Sequence, residues 1–147
     1  MTTPGSFRLY ALALLFAVQA LLATAVYAAG LEVEIERVGA QSGRLTVFVY
    51  DSAQAWDGSG EALRMQRVYP DGSDRLLVRF DGLAPGRYGV VVLHDKDGNR
   101  RFDVGPLGIP RDDYGFSNNP VVFSRPRFER IAFVLPAAGM RIRVRMR

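Results

Sequence analysis

Met140, Ile142, Val144 and Met146 alternate without a break with Arg141, Arg143, Arg145 and Arg147. A period of two puts the four apolar side chains on one face of a strand and the four arginines on the other. The same period runs through Leu31, Val33 and Ile35, which alternate with Glu32, Glu34 and Glu36. Such strands need a core on one side and water on the other. If these two strands are neighbours, the glutamates can neutralise the arginines across the pair. The arginine row then serves to keep an edge strand soluble. The other reading is a basic stripe for an anionic partner: lipid headgroups, polysaccharide or nucleic acid.

Between these segments the chain reads as short strands and turns. Leu45 to Tyr50 is β-branched and aromatic on both faces, which predicts a central strand paired in a hairpin with the one before it. Asp51 to Glu61, around Trp56, reads as a loop, with Trp56 as a lid on the core. Arg64–Tyr69 and Arg75–Phe80 read as a second hairpin turning at Pro70-Asp71-Gly72-Ser73. Tyr88 to His94 is apolar on both faces and reads as interior. Val121–Phe123, Phe128–Leu135 and Met140–Met146 complete the set. No useful length shows helical periodicity. The expectation is an all-β fold, an antiparallel β-sandwich of about seven strands.

The N-terminal segment stands apart. Leu9 to Val26 is almost wholly apolar behind a short, singly charged Met1–Arg8, and Val26-Tyr27-Ala28 has the small-x-small form of a cleavage site. Residues 1–28 therefore read as a secretory signal peptide and 29–147 as a single domain. The competing reading is a retained anchor. With the leader removed, no stable membrane insertion is expected, and the location is periplasmic or secreted. The chain has no cysteine, so the domain must be held by its core, an ion or association rather than by disulfides. Its net charge of +4 leaves acids and bases nearly balanced, and no nucleic-acid partner is expected.

Chemistry concentrates in Leu93–Asn119, a long insertion between strands and the expected binding surface. Asp95, Asp97, Asn99 and Asp103 stand at alternating positions of a calcium-type loop, and Arg101 would supply a carbonyl. The EF-hand pattern is broken where Arg100 replaces glycine and Pro106 replaces the closing glutamate, a role left to Asp103, Asp112 or Asp113. The alternatives are a weak structural calcium ion, of the class near roughly 10⁻⁴–10⁻³ M, and an ordinary turn in which Asp and Asn bond their own backbone. His94, the single histidine, with Asp95 and Ser117 suggests a hydrolase. Neighbours on a strand point to opposite faces, however, so Asp95 would not orient His94. Tyr114, Phe116, Ser117, Asn118 and Asn119, with His94, are candidate ligand contacts. Tyr114 and Phe116 could instead cap the sandwich, with Gly115 permitting a tight chain path and Asn118-Asn119-Pro120 a turn.

Two resemblances accompany these residues. Phe80-x-Gly82-Leu83-x-Pro85-Gly86-x-Tyr88 resembles the turn that feeds the central strand of prealbumin-like (transthyretin-like) sandwiches. His94-Asp95-x-Asp97-Gly98-Asn99-x-Arg101-Phe102-Asp103 and Gly108-Ile109-Pro110-x-x-x-Tyr114-Gly115-Phe116-Ser117-Asn118-Asn119 resemble a family of bacterial exported proteins catalogued as domain of unknown function 2141. The chain departs from that family's usual pattern at Arg100 and at Gly105-Pro106. The resemblance implies export and a sandwich fold and carries no activity. The expected function is an exported, non-catalytic module binding an envelope or extracellular ligand.

Overall fold

Leu31, Val33 and Ile35 are fully buried while the glutamates between them are half-exposed, so the alternation in the sequence is the burial pattern of the first strand. The structure, a computed structural model, describes residues 29–39, 42–58, 60–99, 112–122 and 124–147. The expected leader, 1–28, lies outside them. The elements are β1 (Ala29–Glu36), β2 (Arg44–Tyr50), α1 (Ala53–Asp57), β3 (Arg64–Val68), β4 (Arg75–Leu83), β5 (Gly86–Asp95), β6 (Asp113–Phe116), α2 (Phe128–Ile131), β7 (Ala132–Leu135) and β8 (Met140–Arg145). They form two sheets, ordered β4-β1-β8 and β3-β2-β5-β6. β7 shares an edge of β5 with β6, pairing with Gly86–Gly89 while β6 pairs with Val91–His94. Every pairing is antiparallel except β1 with β8, which is parallel.

The sandwich was legible in the sequence, but its two hairpins are not formed. β1 and β2 lie in different sheets, and so do β3 and β4. Arg37, Gly39 and Gly43 all have positive φ, which bends the chain from one sheet to the other. At Gly43 (φ +106°) a Cβ would stand 2.3 Å from the Asp95 carbonyl oxygen, so only glycine fits. On the β3/β4 side, the Gln66 amide donates to the Arg79 carbonyl at 2.7 Å and links the sheets. At the β4–β5 corner the Tyr88 hydroxyl donates to the Ala84 carbonyl at 2.8 Å.

The inner faces of both sheets enclose the main core. Leu31, Val33, Ile35, Leu45, Val47, Val49, Val90 and Val92 all have no exposed surface. Each such side chain contributes on the order of 1.5–3 kcal/mol on burial. A second cluster covers part of the outer face of the five-stranded sheet, where Val91 packs beneath Trp56, Phe128 and Ile131. Both short helices belong to it, against the expectation of a loop and a strand. Ser52 caps α1 by accepting from the Ala55 amide at 3.2 Å. In α2 the spacing of Phe128 and Ile131 puts both on one side of a single turn, and both are buried. That turn rests directly on β5, since a Cβ at Gly89 would lie 2.9 Å from Ile131 Cγ1. Val121 and Val122 form no strand.

The terminal strands are neighbours, and the charges match. Arg141 donates to Glu32, Arg143 to Glu34 and Arg145 to Glu36, at 2.8–3.1 Å. From β4, Arg79 also pairs with Glu32, and Arg75 with Glu34. Hydrogen bonds from Arg141 and then Arg79 hold the Glu32 carboxyl below the usual carboxylate range. Its contribution is therefore present above the ordinary carboxylate pKa and fades as pH falls through the lowered value. Exposed pairs of this kind contribute little to stability. Their larger effect is to neutralise a row of like charges. No helix among the described residues is long and apolar enough to cross a membrane.

Candidate functional site

The Tyr114–Asn119 segment sits where the two sheets meet. Tyr114, Gly115 and Phe116 are strand residues of β6, not loop, because Leu93, Val92 and Val91 offer them a free edge. The other edge of β6 is taken by the chain after β8. The Tyr114 amide donates to Arg147 O at 3.2 Å, and the Arg147 amide donates to Tyr114 O at 3.0 Å. The edge of β6 is thereby joined to the opposite sheet. Gly115 faces this junction: a Cβ there would lie 2.6 Å from Val144 Cγ1 and 2.9 Å from Arg145 O. The tight path expected at Gly115 is real, and its cause is lack of space rather than an unusual φ. Phe116 turns outward and packs edge-on against Trp56 at 6.1 Å, with Tyr114 at 5.4 Å. Trp56 is only 5% exposed, as a lid on the second cluster should be.

The polar residues that follow engage backbone. Ser117 is fully buried, and its Oγ accepts from the Val90 amide at 2.9 Å and donates to the Ile131 carbonyl. Asn118 and Asn119 both adopt the left-handed conformation, which asparagine tolerates better than other non-glycine residues. The Asn118 amide donates to Ala132 O at 2.8 Å. The Asn119 amide donates to Arg143 O at 2.9 Å and accepts from the Arg145 amide at 2.8 Å. One side chain thus fills an adjacent donor and acceptor on the outer edge of β8, as a partner strand would.

His94, next to last in β5, lies on its inner face with no exposed surface. Its Nε2 lies 3.1 Å from the Ser42 carbonyl oxygen, which can only accept, so Nε2 carries a proton. Nδ1 has no hydrogen-bond partner among the described residues, and Asp113 Oδ2 is 3.9 Å away. Asp95 lies on the opposite face, as the strand period requires. Its carboxylate accepts from Arg44 Nη2 at 3.2 Å and from the Gly98 amide at 2.8 Å. The carboxylate beside His94 is therefore Asp113, whose other oxygen takes Lys96 Nζ at 2.6 Å. Ser117 is far from both. His94 is opposite Asp113, whereas Ser117 bonds at Val90, four residues back along β5. Four strand residues span roughly 13 Å, beyond any serine–histidine hydrogen bond.

In the acidic loop the described carboxylates meet nearby amides and one guanidinium. Asp95 faces Arg44 and Gly98, and both Asp97 oxygens face Asn99, at 3.0 Å to its amide and 3.1 Å to its side chain. Asp112 lies 3.5 Å from the Lys96 amide. Among the described residues no three metal-ligating side chains gather. Arg101 and Asp103 lie outside those residues. This is the arrangement of Asx turns, in which short side chains satisfy nearby amides. An ion bound through Asp95 would have to compete with the Arg44 guanidinium.

No curated protein and no solved structure matches the chain. Residues 33–143 do match a family described as "Uncharacterized protein conserved in bacteria (DUF2141)", and with that share of its length covered, the chain belongs to this family.

Proposed function

We propose that the chain is a non-catalytic β-sandwich module of the bacterial envelope or exterior. On this reading the leader over 1–28 exports it, and 29–147 folds as one prealbumin-like domain that binds an envelope or extracellular ligand. Family membership and the turn through Pro85-Gly86 into β5 support that placement. The observation that carries the proposal is the use of the motif side chains. The side chains of Ser117, Asn118 and Asn119 each bond backbone, and His94 is sealed from solvent. A hydrolytic site needs a nucleophile, a base and a position for the reacting atom within reach of one another. The binding surface is then the outer face at this end of the five-stranded sheet, where Tyr114 is half-buried rather than enclosed.

The alternative, a hydrolase working through His94, draws its support from Asp113 at 3.9 Å. One experiment separates the two. The full chain and its His94→Ala variant are tested against chromogenic esters, phosphoesters and glycosides, and their melting temperatures are compared. The module reading predicts a lower melting temperature for the variant and no hydrolysis by either protein. Hydrolysis that vanishes in the variant at an unchanged melting temperature would establish the enzyme.

For the acidic loop we infer a turn held by its own amides, with calcium as the competing occupant. Calcium and chelator should then give the same melting temperature. An ion selective for the fold would instead stabilise it by about 2.7 kcal/mol at a hundredfold excess over its dissociation constant. Asp97→Ala would remove that gain.

A further inference from the structure

The outer face of the five-stranded sheet is only partly covered. The helices and Trp56 pack over the part carrying Val91, Tyr50 and Phe116. Beside it, Arg44, Thr46, Phe48, Met65 and Arg67 line a groove of about 360 Å3. Small-molecule sites begin at roughly 300 Å3. The register explains how these residues meet. Thr46 is opposite Arg67 and Phe48 is opposite Met65 across the β2–β3 pair, so all four project from one face. Arg44 is two residues before Thr46, which makes it the diagonal neighbour of Arg67, at a separation of about 7–8 Å.

The lining has an unusual balance for a solvated sheet face. Met65 is 43% exposed and Phe48 half-buried, giving an apolar floor. Two guanidinium groups stand beside it, and among the described residues no acidic one lines the groove. Arg44 is held from behind by its ion pair with Asp95, while its buried Nε has no acceptor among the described residues. Arg67 is exposed and meets no carboxylate among the described residues. Among the described residues, two arginines against one aspartate leave a single positive charge, which matches a monoanion. Guanidinium groups favour carboxylates through paired, directional hydrogen bonds.

We propose that this groove binds a small organic carboxylate, with the anion between Arg44 and Arg67 and its apolar body on Phe48 and Met65. The inference rests on reading the chain as a binding module and adds the ligand's chemical class. It places the contacts on β2 and β3, strands outside the Leu93–Asn119 region.

The test is a titration of the ¹⁵N-labelled full chain with phenylacetate, read by amide and methionine-methyl chemical shifts. Phenylacetamide, of the same shape without the charge, is the control. The expected result is saturable shifts at Thr46, Phe48, Met65 and Arg67 with phenylacetate. Binding should weaken about tenfold or more both for phenylacetamide and in Arg67→Gln, the loss expected for a charge-assisted contact. Arg67 is exposed, so the variant should keep its fold, which its own spectrum verifies. No saturation at millimolar phenylacetate, equal binding of the neutral amide, or undiminished binding by Arg67→Gln overturns the proposal. A silent groove in a protein that also lacks hydrolysis sinks the carboxylate site alone. Hydrolysis lost with His94 sinks the module reading instead.

Discussion

Gly115→Ala should destabilise the sandwich by about 1–3 kcal/mol, toward the upper end of what one added carbon does in a packed interior. The new Cβ would meet Val144 Cγ1 at 2.6 Å, Arg145 O at 2.9 Å and Met146 Sδ at 3.2 Å. A side chain can turn away, but the Arg145 oxygen belongs to the backbone of β8. To make room, β6 must part from the C-terminal segment, breaking both bonds between Tyr114 and Arg147. Gly30→Ala is the control, because its nearest contact would be Asp81 Oδ1 at an ordinary 3.5 Å. Urea unfolding should separate the two variants clearly. Equal stabilities would mean that the two sheets are not locked together at Gly115.

Trp56→Ala carries the largest expected loss, about 3–5 kcal/mol, the range for removing a buried large aromatic. The ring is packed from several sides. Tyr50 meets it edge-on at 5.2 Å, Phe116 at 6.1 Å, and the Arg125 guanidinium lies 3.9 Å from its centroid. Its Nε1 donates to Pro126 O at 2.8 Å, and its own carbonyl accepts from Arg125. Truncation would open a cavity and free the segment before α2 together. Unfolding should be followed by circular dichroism, since Trp56 is the chain's only tryptophan. A loss below about 1 kcal/mol would show that the second cluster is peripheral to stability.

How much of this the sequence discloses depends on which physical signal each element leaves. Period two in Leu31–Glu36 and Met140–Met146 reports which way side chains face, and those faces are as expected. The same period says nothing about which strand lies alongside, and both hairpins failed for that reason. Of the two partners of β1, β8 was readable only through chemistry, in the match of Glu32, Glu34 and Glu36 to Arg141, Arg143 and Arg145. Four residues such as Phe128–Ile131 are too few to distinguish a period of two from one of 3.6. Ser52 before Ala53–Asp57 was a usable cap signal for α1. The sequence singled out these polar residues but not what their side chains bond. Ser, Asn and His serve a ligand or a backbone with the same atoms, and only the fold shows that Val90, Ala132 and Arg143 claim them. The Arg44–Arg67 groove left no motif, because its residues come from two strands and meet only by register.

The central claim is that the Tyr114–Asn119 segment works by holding backbone, and Ser117→Ala tests it most directly. The substitution keeps the volume nearly constant and removes the acceptor of the buried Val90 amide. A buried donor left without a partner costs about 1–3 kcal/mol. The unfolding free energy of Ser117→Ala in urea should fall by that amount, with slowly exchanging amides lost around Val90 and Ile131. An unchanged unfolding free energy, with Val90 still protected from exchange, would contradict the account.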